Sequence, residues 1–428
     1  MEYPRNDRTI KEHTLMRIKS YLPTLFILVA ALGCKQKSEK TSEPKEVKVG
    51  VQEMVSPAQN SSSLPFLFSN KDVMLLSWVE TEADTISTLK YTELVDGTWQ
   101  EPKTIIQGSD WFVNWADYPM IAENNGNLWS HVLKKSTEGT YSYDVKMNSK
   151  PKGSTEWKTN LDVHTDGTPT EHGFVSVEPY NDSFFVNWLD GRNTVENEVG
   201  ERGAMTLRAG VVSATGVLTQ EHELDVRTCD CCQTTAAITD NGPVVLYRDR
   251  TEDEIRDISI VRQVKGEWTA PKTIHNDNWK IKGCPVNGPK VDVLDNNLVV
   301  AWFTGAEQKP KVQVAFSEDG GEQFQEPILI AEGNVMGRVD ILWMDEENAV
   351  VSWMESKDKL AILHVMNVST NGTVSKKQVI AEMDGSRNSG FPQMELIEET
   401  LYFAYTDYSE STSKVQTLKM TVESFINE

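Results

Sequence analysis

A short apolar strand that ends in an aromatic residue recurs along the chain at a nearly constant distance. The pattern is clearest at residues 75–78 (LLSW), 185–188 (FVNW) and 351–353 (VSW). The aromatic residues of the seven copies are Trp78, Trp129, Trp188, Tyr247, Trp302, Trp353 and Tyr405. Their spacings are 51, 59, 59, 55, 51 and 52 residues. A period this regular indicates one supersecondary unit that is repeated seven times.

Each repeat has room for four short strands. About 20 residues after most of the aromatic positions a second marker follows, and residues 97–102 (GTWQEP) closely match residues 266–271 (GEWTAP). Between the two markers lie alternating segments such as residues 311–316 (KVQVAF). Four strands separated by Asn, Asp and Gly are typical of a β-propeller blade. The alternative is a run of β-sandwiches, which would repeat less evenly.

The number of blades follows from the strands that can be counted. Seven inner strand sets are present, but only six of them are followed by a clear outer strand. Residues 47–52 (VKVGVQ) can supply the seventh outer strand, and this would close the ring and cover an exposed sheet edge. We therefore predict an all-β chain whose residues 47–428 form a propeller of seven four-stranded antiparallel blades. Six blades with an appended sheet is the alternative.

The N-terminal region has the pattern of an export signal. Arg17 and Lys19 precede an apolar run over residues 22–32, which ends in small residues before Cys34. The run is too short to cross a bilayer core of about 30 Å as a helix. It resembles a lipobox, so we predict a lipoprotein signal peptide over residues 1–33, lipidation of Cys34 and a flexible tether over residues 34–46. A plain secretory signal is the alternative.

Export and charge together limit the partners. The lipid would anchor the chain to a membrane of the cell envelope, on the periplasmic or the cell-surface side. The 64 acidic residues outnumber the 42 basic ones, which gives a formal net charge of −22. This charge argues against nucleic acid and against an anionic membrane surface as partners. We expect a monomer that needs no cofactor.

One short motif points to a family. Residues 317–324 (SEDGGEQF) resemble the Asp box, a turn motif of sialidases and related propellers, with Phe324 in place of the usual Trp. The stretch from about residue 110 to 360 also resembles a bacterial group of sialidase-like propellers described as exo-α-sialidases. The resemblance rests on residues 172–175 (HGFV), 188–192 (WLDGR), 229–234 (CDCCQT), 247–250 (YRDR), 254–257 (EIRD) and 283–289 (GCPVNGP).

The resemblance implies a glycoside hydrolase. A working sialidase needs three arginines for a carboxylate, a Tyr nucleophile activated by a Glu, and an acid/base Asp. The family's first arginine belongs to an Arg-Ile-Pro motif, and here residues 63–66 (SLPF) occupy its place. The leading hypothesis is therefore a sialidase-like hydrolase, or a relative with a changed substrate, that acts on glycans at the cell envelope. The alternatives are a non-catalytic glycan- or protein-binding propeller and a metal- or redox-linked envelope protein.

Candidate site residues come from the loops on one face of the ring. The residues expected to bind an acidic glycan or another small anion are Arg192, Arg248, Arg250, Arg338, Arg387 and His172. The acid/base candidates are Asp190, Asp249, Glu254 and Asp117. Tyr247 is the nucleophile candidate by residue type, although its repeat position favours core packing. Pairing of these charges within turns is the alternative to a site.

Four cysteines besides Cys34 lie in two of the family stretches: Cys229, Cys231, Cys232 and Cys284. In an exported protein, disulfides are the default expectation. One plausible pairing joins Cys232 to Cys284 and Cys229 to Cys231. A thiolate metal site, with His172 as a further ligand, is the rival interpretation. We favour the disulfides and predict no metal.

Overall fold

The computed structural model describes residues 50–59, 61–70, 73–82, 85–196, 200–408 and 412–426. The predicted signal peptide, the lipidation site Cys34 and the tether over residues 34–46 lie outside this set. Within the described ranges, no helix is both long enough and apolar enough to cross a membrane. Most of the described residues belong to β-strands.

The described residues contain thirty strands, which form seven antiparallel sheets. The first strand is β1 (Gln52–Met54). Blade 1 contains β2 (Ser62–Ser69), β3 (Met74–Glu82), β4 (Ile86–Val95), β5 (Thr98–Trp99) and β6 (Lys103–Gly108). Blade 2 contains β7 (Ile121–Asn124), β8 (Asn127–Lys135), β9 (Tyr143–Lys150) and β10 (Lys158–Asp162). Blade 3 contains β11 (His172–Tyr180), β12 (Ser183–Asp190), β13 (Thr206–Ser213) and β14 (Leu218–Asp225).

The second half of the chain continues the series. Blade 4 contains β15 (Thr235–Thr239), β16 (Gly242–Arg248), β17 (Ile258–Val264), β18 (Glu267–Trp268) and β19 (Lys272–Thr273). Blade 5 contains β20 (Lys290–Leu294), β21 (Asn297–Thr304), β22 (Lys311–Ser317) and β23 (Ile328–Glu332). Blade 6 contains β24 (Val335–Trp343), β25 (Asn348–Lys357), β26 (Leu360–Ser369) and β27 (Gln378–Asp384). Blade 7 contains β28 (Gln393–Ile397), β29 (Thr400–Asp407) and β30 (Lys414–Thr421).

The described residues also contain short helical segments between or after the strands. The helix α1 (Val422–Ile426) follows β30, and the three 3₁₀ turns are Arg192–Thr194, Ala306–Gln308 and Arg387–Ser389. Four strands form the main path of every sheet and follow one another in chain order, except that β1 joins blade 7; β6 and β19 pair additionally with β4 and β17, so each blade is a four-stranded meander. The prediction of a seven-bladed propeller of four-stranded antiparallel sheets is confirmed, and the six-bladed alternative is wrong.

The ring is closed by the N-terminal strand. β1 pairs antiparallel with β30, so that it becomes the outermost strand of blade 7. Blade 1 is tied to the same blade because the amides of Ser61 and Ser62 both donate to the Ser413 carbonyl. The closing outer strand, predicted at residues 47–52, is thus the slightly later β1. Its Gln52 pairs with Lys419. Residues 47–49 are outside the described set.

The repeated aromatic residues lie on the second strand of each blade. All seven are buried, and five of them (Trp78, Trp129, Trp188, Trp302 and Trp353) have no exposed surface. In three blades the indole N–H donates to the carboxylate two residues later. These pairs are Trp78–Glu80 at 2.9 Å, Trp188–Asp190 at 2.8 Å and Trp353–Glu355 at 2.9 Å. Side chains two apart on a strand share a face, so the spacing itself brings the partners together.

The turn over residues 317–324 lies between β22 and β23, the third and fourth strands of blade 5. The Ser317 hydroxyl donates to Asp319 Oδ1 at 2.9 Å and accepts from the Gly321 amide at 3.0 Å. Gly320 and Gly321 have φ values of 68° and 84°, which L-residues with a side chain rarely adopt. The partly buried Phe324 packs against the core between blades 4 and 5.

The inner strands surround a central cavity of about 280 Å³. Among its lining residues are four carboxylates (Glu178, Asp292, Asp340 and Glu395) and one cation, Lys290. Burial and the charge of Asp292 raise the pKa of Glu178 to about 8. Burial likewise raises the pKa of Asp292 to about 6. The cavity therefore holds more acidic groups than Lys290 can neutralise.

Replacing Glu178 by Gln tests this charge imbalance. The folded state holds the Glu178 proton up to a pKa of about 8, against an ordinary value of 4.5, so ionisation weakens the fold as the pH rises between them. Glu178→Gln removes that penalty. We expect its melting temperature to exceed that of the wild type by more at about pH 8.5 than at about pH 5.

The matched control is the exposed Glu382 of β27, whose replacement by Gln leaves the difference independent of pH. Scanning calorimetry at the two pH values measures both variants. An equal effect of Glu178→Gln at both values would contradict the interpretation.

Candidate functional site

One loop brings residues from several blades together near the ring axis. Residues 109–117 join blade 1 to blade 2, and the Trp115 ring stacks on Phe391 at 5.9 Å between centroids. The Arg338 guanidinium carbon lies 5.1 Å from the Trp115 ring centroid. The Gln233 side-chain amide donates to the Ala116 carbonyl at 2.5 Å. Blades 4, 6 and 7 therefore all hold this loop.

Beside the loop, a tyrosine and two carboxyls form a cluster. The Tyr143 hydroxyl donates to Glu171 Oε1 at 2.6 Å. Asp117 Oδ1 accepts from the Phe174 amide at 2.8 Å, whereas its buried Oδ2 has no hydrogen-bond partner among the described residues. Tyr143 begins β9, and a backbone bridge joins it to Glu171. Gly173 completes the geometry, since a Cβ there would lie 2.1 Å from Asp117 Oδ2.

The surroundings shift the pKa of all three groups upward. Burial raises the pKa of Glu171 to about 7. Burial, with a contribution from the charge of Glu171, raises the pKa of Asp117 well above its ordinary value. Burial and the two neighbouring carboxyls also raise the pKa of Tyr143. Two carboxyls whose pKa values are raised by burial thus lie beside a tyrosine hydroxyl, which is a set suited to proton transfer.

An open groove of about 410 Å³ adjoins this cluster. Its aromatic lining residues are Phe112, Trp115, Tyr141 and Tyr408. The Phe112 ring stacks on the Tyr143 ring at 4.3 Å between centroids, so one wall of the groove covers the tyrosine. The exposed Arg387 places its guanidinium carbon 5.9 Å from the Trp115 ring centroid. Aromatic faces and a nearby cation suit a ligand that is both flat and anionic.

A second cluster, around His172, lies at the start of blade 3. His172 stacks on His164 at 3.8 Å between centroids, and its Nε2 lies 3.3 Å from Asp166 and 3.6 Å from Asp190. Donor atoms of His172, Asp166 and Asp190 lie within 4.8 Å of one another, close enough to share a metal ion. However, Arg192 donates to both oxygens of Asp190, at 2.8 and 2.7 Å. The guanidinium already supplies the positive charge that a metal would bring.

The five predicted anion-binding arginines do not meet at one place. Arg248 is fully buried and donates to three backbone carbonyls, of Asn287, Arg256 and Phe303, at 2.7 to 2.8 Å. Arg250 pairs with Glu254 and Asp230. Arg192 belongs to the His172 cluster. Only Arg338 and Arg387 share a neighbour, Trp115, and Arg338 also donates to Ser389 and Gly390.

The remaining acid/base candidates have partners of their own. Burial raises the pKa of Asp249 to about 6, and its Oδ2 accepts from the Ser259 hydroxyl at 2.8 Å. Hydrogen bonds from Arg250 and Arg256 lower the pKa of Glu254 to about 2. Tyr247 is packed in the core, and its hydroxyl donates to Asp225 rather than to Glu254. Core packing, the interpretation that its repeat position favoured, is the role that the structure gives Tyr247.

The cysteines pair differently from the expected scheme. The disulfide joins Cys231 to Cys284, while Cys229 and Cys232 are buried thiols whose Sγ atoms lie 3.2 Å apart. The half-exposed Cys231 faces the exposed loop of Cys284, whereas the next residue along the chain is buried. Residues 230 and 231 form a turn that directs the Cys231 side chain outward, and the sequence does not show which of the neighbouring cysteines such a turn exposes.

Comparison with known proteins gives a likeness to solved structures alone. No protein-family model matches the chain, and no curated protein matches it. A mutant of the NanB sialidase from Streptococcus pneumoniae is 13% identical, with a TM-score of 0.46, over 91% of this chain and 73% of that one. The α-L-arabinofuranosidase Arb93A from Fusarium graminearum is 10% identical, with a TM-score of 0.48, over 89% and 99%. An ulvan lyase is 12% identical, with a TM-score of 0.44, over 72% and 78%.

Sequence reasoning found Asp117 and His172 but missed Tyr143, Glu171 and His164. Glu171 was the easier to find, since it directly precedes His172 in a loop that enters an inner strand. Tyr143 begins a third strand, and its distance to Glu171 depends on how blades 2 and 3 meet. Nothing in the repeat pattern marks that contact.

Replacing Arg192 by Ala tests the buried pair with Asp190. Burial alone raises the pKa of Asp190, but hydrogen bonds from Arg192 and the charge of His172 outweigh it and hold the pKa low. Removing the partner of a buried charge costs about 3–5 kcal/mol, so we expect that loss in the free energy of unfolding near pH 7. In the variant, burial without Arg192 raises the pKa of Asp190, so the carboxylate takes up a proton as the pH falls and the loss is expected to be smaller at about pH 3.

Urea titration at the two pH values measures the effect. The control is Arg202→Ala, which removes an exposed pair with Glu196 and is expected to cost at most about 1 kcal/mol. A loss from Arg192→Ala that is the same at both pH values would indicate lost packing and not lost charge.

Proposed function

We propose that this chain is a glycoside hydrolase of the sialidase-like type that acts on acidic glycans. The observation that supports it best is the 2.6 Å hydrogen bond from the Tyr143 hydroxyl to Glu171, with the buried Asp117 beside it. In this proposal Tyr143 is the nucleophile, Glu171 its general base and Asp117 the general acid. The resemblance in the sequence implied these three residue types, and Asp117 was among the candidates.

The chemistry follows from the three pKa shifts. A tyrosine with a raised pKa attacks an anomeric carbon only if its proton is removed as it attacks. Glu171, with a pKa of about 7, accepts that proton near neutral pH. Burial raises the pKa of Asp117, which favours its protonated form, and in this proposal it donates its proton to the departing glycosidic oxygen. Water then attacks the anomeric carbon and gives a proton to Asp117, while the departing tyrosine oxygen takes its proton back from Glu171.

The aromatic groove supplies the binding part of the proposal. The rings of Trp115, Tyr141 and Tyr408 offer apolar faces for sugar rings, and Arg387 offers a charge for a sugar carboxylate. The Phe112 ring covers the fully buried Tyr143, so the reaction requires this ring to move aside. A ligand that enters the groove contacts Phe112 before Tyr143. In this proposal ligand binding therefore displaces the Phe112 ring and exposes the Tyr143 hydroxyl.

The catalytic proposal is tested with Tyr143→Phe and Glu171→Gln. Aryl glycosides of sialic acid and of glucuronic acid serve as probes for the purified full chain. We expect each variant to lose roughly 10²–10⁴-fold in kcat/KM, the range for a lost general base or its nucleophile. The wild-type rate rises as the pH passes about 7, because Glu171 acts in its ionised form, and Glu171→Gln loses that rise.

The control is Tyr180→Phe, which removes a hydroxyl at the far end of β11 and leaves the rate unchanged. Full activity of Tyr143→Phe would contradict the assignment of the nucleophile. A wild type that binds acidic glycans but cleaves neither probe would favour the non-catalytic alternative.

We further propose that the chain is held at the cell envelope by lipid on Cys34. The apolar run over residues 22–32 and the small residues before Cys34 support this location. In cells that are fed a labelled fatty acid, the wild-type chain is expected to take up the label and Cys34→Ser to lose it. Cys232→Ser, a buried position, is the control that retains the label. An unlabelled wild type found in the soluble envelope fraction would indicate a plain secretory signal.

A further inference from the structure

Four sulfur atoms meet where blade 4 begins. Cys231 and Cys284 form the disulfide, and the buried thiols of Cys229 and Cys232 lie 3.2 Å apart. The Sγ atoms of Cys229, Cys231 and Cys232 all lie within 4.8 Å of one another. A dithiol therefore lies next to a disulfide inside one protein, which is the arrangement that thiol–disulfide exchange requires.

The electrostatics distinguish the two thiols. Arg256 donates to Cys229 Sγ at 3.2 Å, and Glu254 fixes Arg256 from the other side at 2.9 Å. The hydrogen bond with Cys232, together with the charges of Arg256 and Arg248, lowers the pKa of Cys229 to about 6. Burial raises the pKa of Cys232. At neutral pH, Cys229 is thus the thiolate of the pair, and thiolates are the attacking species.

Exposure distinguishes the two ends of the cluster. Cys229 and Cys232 are 0% and 2% exposed, so an external molecule does not reach them directly. Cys284 lies in an exposed segment with Lys282 and Gly283, and a Cβ built on Gly283 would meet nothing within 4 Å. The disulfide therefore connects the buried pair to the surface.

We propose that the four cysteines form a relay that carries two electrons from the buried dithiol to an external disulfide. In the first step, the Cys229 thiolate attacks Cys231 Sγ. A Cys229–Cys231 bond forms, the Cys231–Cys284 bond breaks, and Cys284 leaves as a thiolate. No oxidant is consumed, since one disulfide replaces another.

The later steps involve the partner disulfide. The exposed Cys284 thiolate attacks it, which forms a mixed disulfide and releases the first partner thiolate. The Cys232 thiol loses its proton and attacks Cys229, and the Cys231 thiolate that is freed attacks Cys284 and releases the second partner thiolate. The net result is a Cys229–Cys232 disulfide, two reduced partner thiols and the restored Cys231–Cys284 bond. The substrate class is a disulfide that can reach Cys284.

The test uses the full chain with Cys34→Ser as the reference background, called wild type below, so that only the four clustered cysteines are counted. It is purified without oxygen, and the aryl disulfide 5,5′-dithiobis(2-nitrobenzoate) is the probe. A thiol count in denaturant comes first, and two free thiols per chain are expected. The native wild type is then expected to release two equivalents of aryl thiolate. Peptide mapping is expected to find Cys229 joined to Cys232 and no aryl group left on the protein.

The matched variant is Cys231→Ser/Cys284→Ser, which keeps the buried pair but removes its connection to the surface. We expect its native reaction to slow by roughly tenfold or more, with two thiols still counted in denaturant. A rate equal to that of the wild type would show direct access to the pair and overturn the relay. A wild-type count of no thiols, or one metal ion per chain, would also overturn it.

A second measurement does not depend on that variant's folding. Iodoacetamide added to the native wild type is expected to label Cys284, which is available only after the first exchange step. Cys229→Ser lacks the attacking thiolate and is expected to lose the label at Cys284, while Cys232→Ser retains it. Labelling of Cys284 in Cys229→Ser would show that the bond opens by another route.

Discussion

Every blade of this propeller depends on its neighbours, because a twisted four-stranded sheet has two faces and a single blade can cover neither. The aromatic residue on each second strand meets this constraint. Trp188 and Trp353 have no exposed surface, and their indole N–H groups are satisfied by a carboxylate from the same strand. Four of the five fully buried tryptophans have a hydrogen-bond partner for the indole N–H, which lowers the cost of burying so large a ring; the N–H of the fifth, Trp129, has no partner among the described residues.

The same arrangement explains why conspicuous charges can be structural. Asp190 accepts from Trp188 and is also neutralised by Arg192, so its charge is used within the fold. Arg248 donates to three backbone carbonyls, of Asn287, Arg256 and Phe303. Charges that are paired to this extent stabilise loops. They leave few hydrogen-bonding atoms with which a ligand could pair. A ligand can pair instead with polar atoms that lack a hydrogen-bond partner among the described residues, such as Oδ2 of Asp117.

The two proposed kinds of chemistry, glycoside hydrolysis and thiol–disulfide exchange, involve neighbouring clusters. In the proposed hydrolase the Tyr143–Glu171 pair transfers a proton; burial brings the pKa of Glu171 to about 7 and raises that of Tyr143 above its ordinary value. The cysteine cluster depends on thiolate chemistry, and Arg256 tunes it by charge. The charge of Cys229 also contributes to the raised pKa of Glu171, so the two clusters influence each other electrostatically. A change in the state of the cysteines alters the field in which Glu171 titrates.

The sequence by itself determined the architecture. Strand periodicity and the spacing of the seven aromatic residues can be read along the chain, without knowing which residues touch. It also located the charged loops and therefore Asp117, His172 and the cysteines. Only the tertiary structure decided which of these groups are free. Whether Cys231 or Cys232 bonds to Cys284 depends on which side chain points outward, and whether Tyr143 meets Glu171 depends on how two blades pack. Both are properties of distance between segments far apart in the chain, and no periodic pattern encodes such distances.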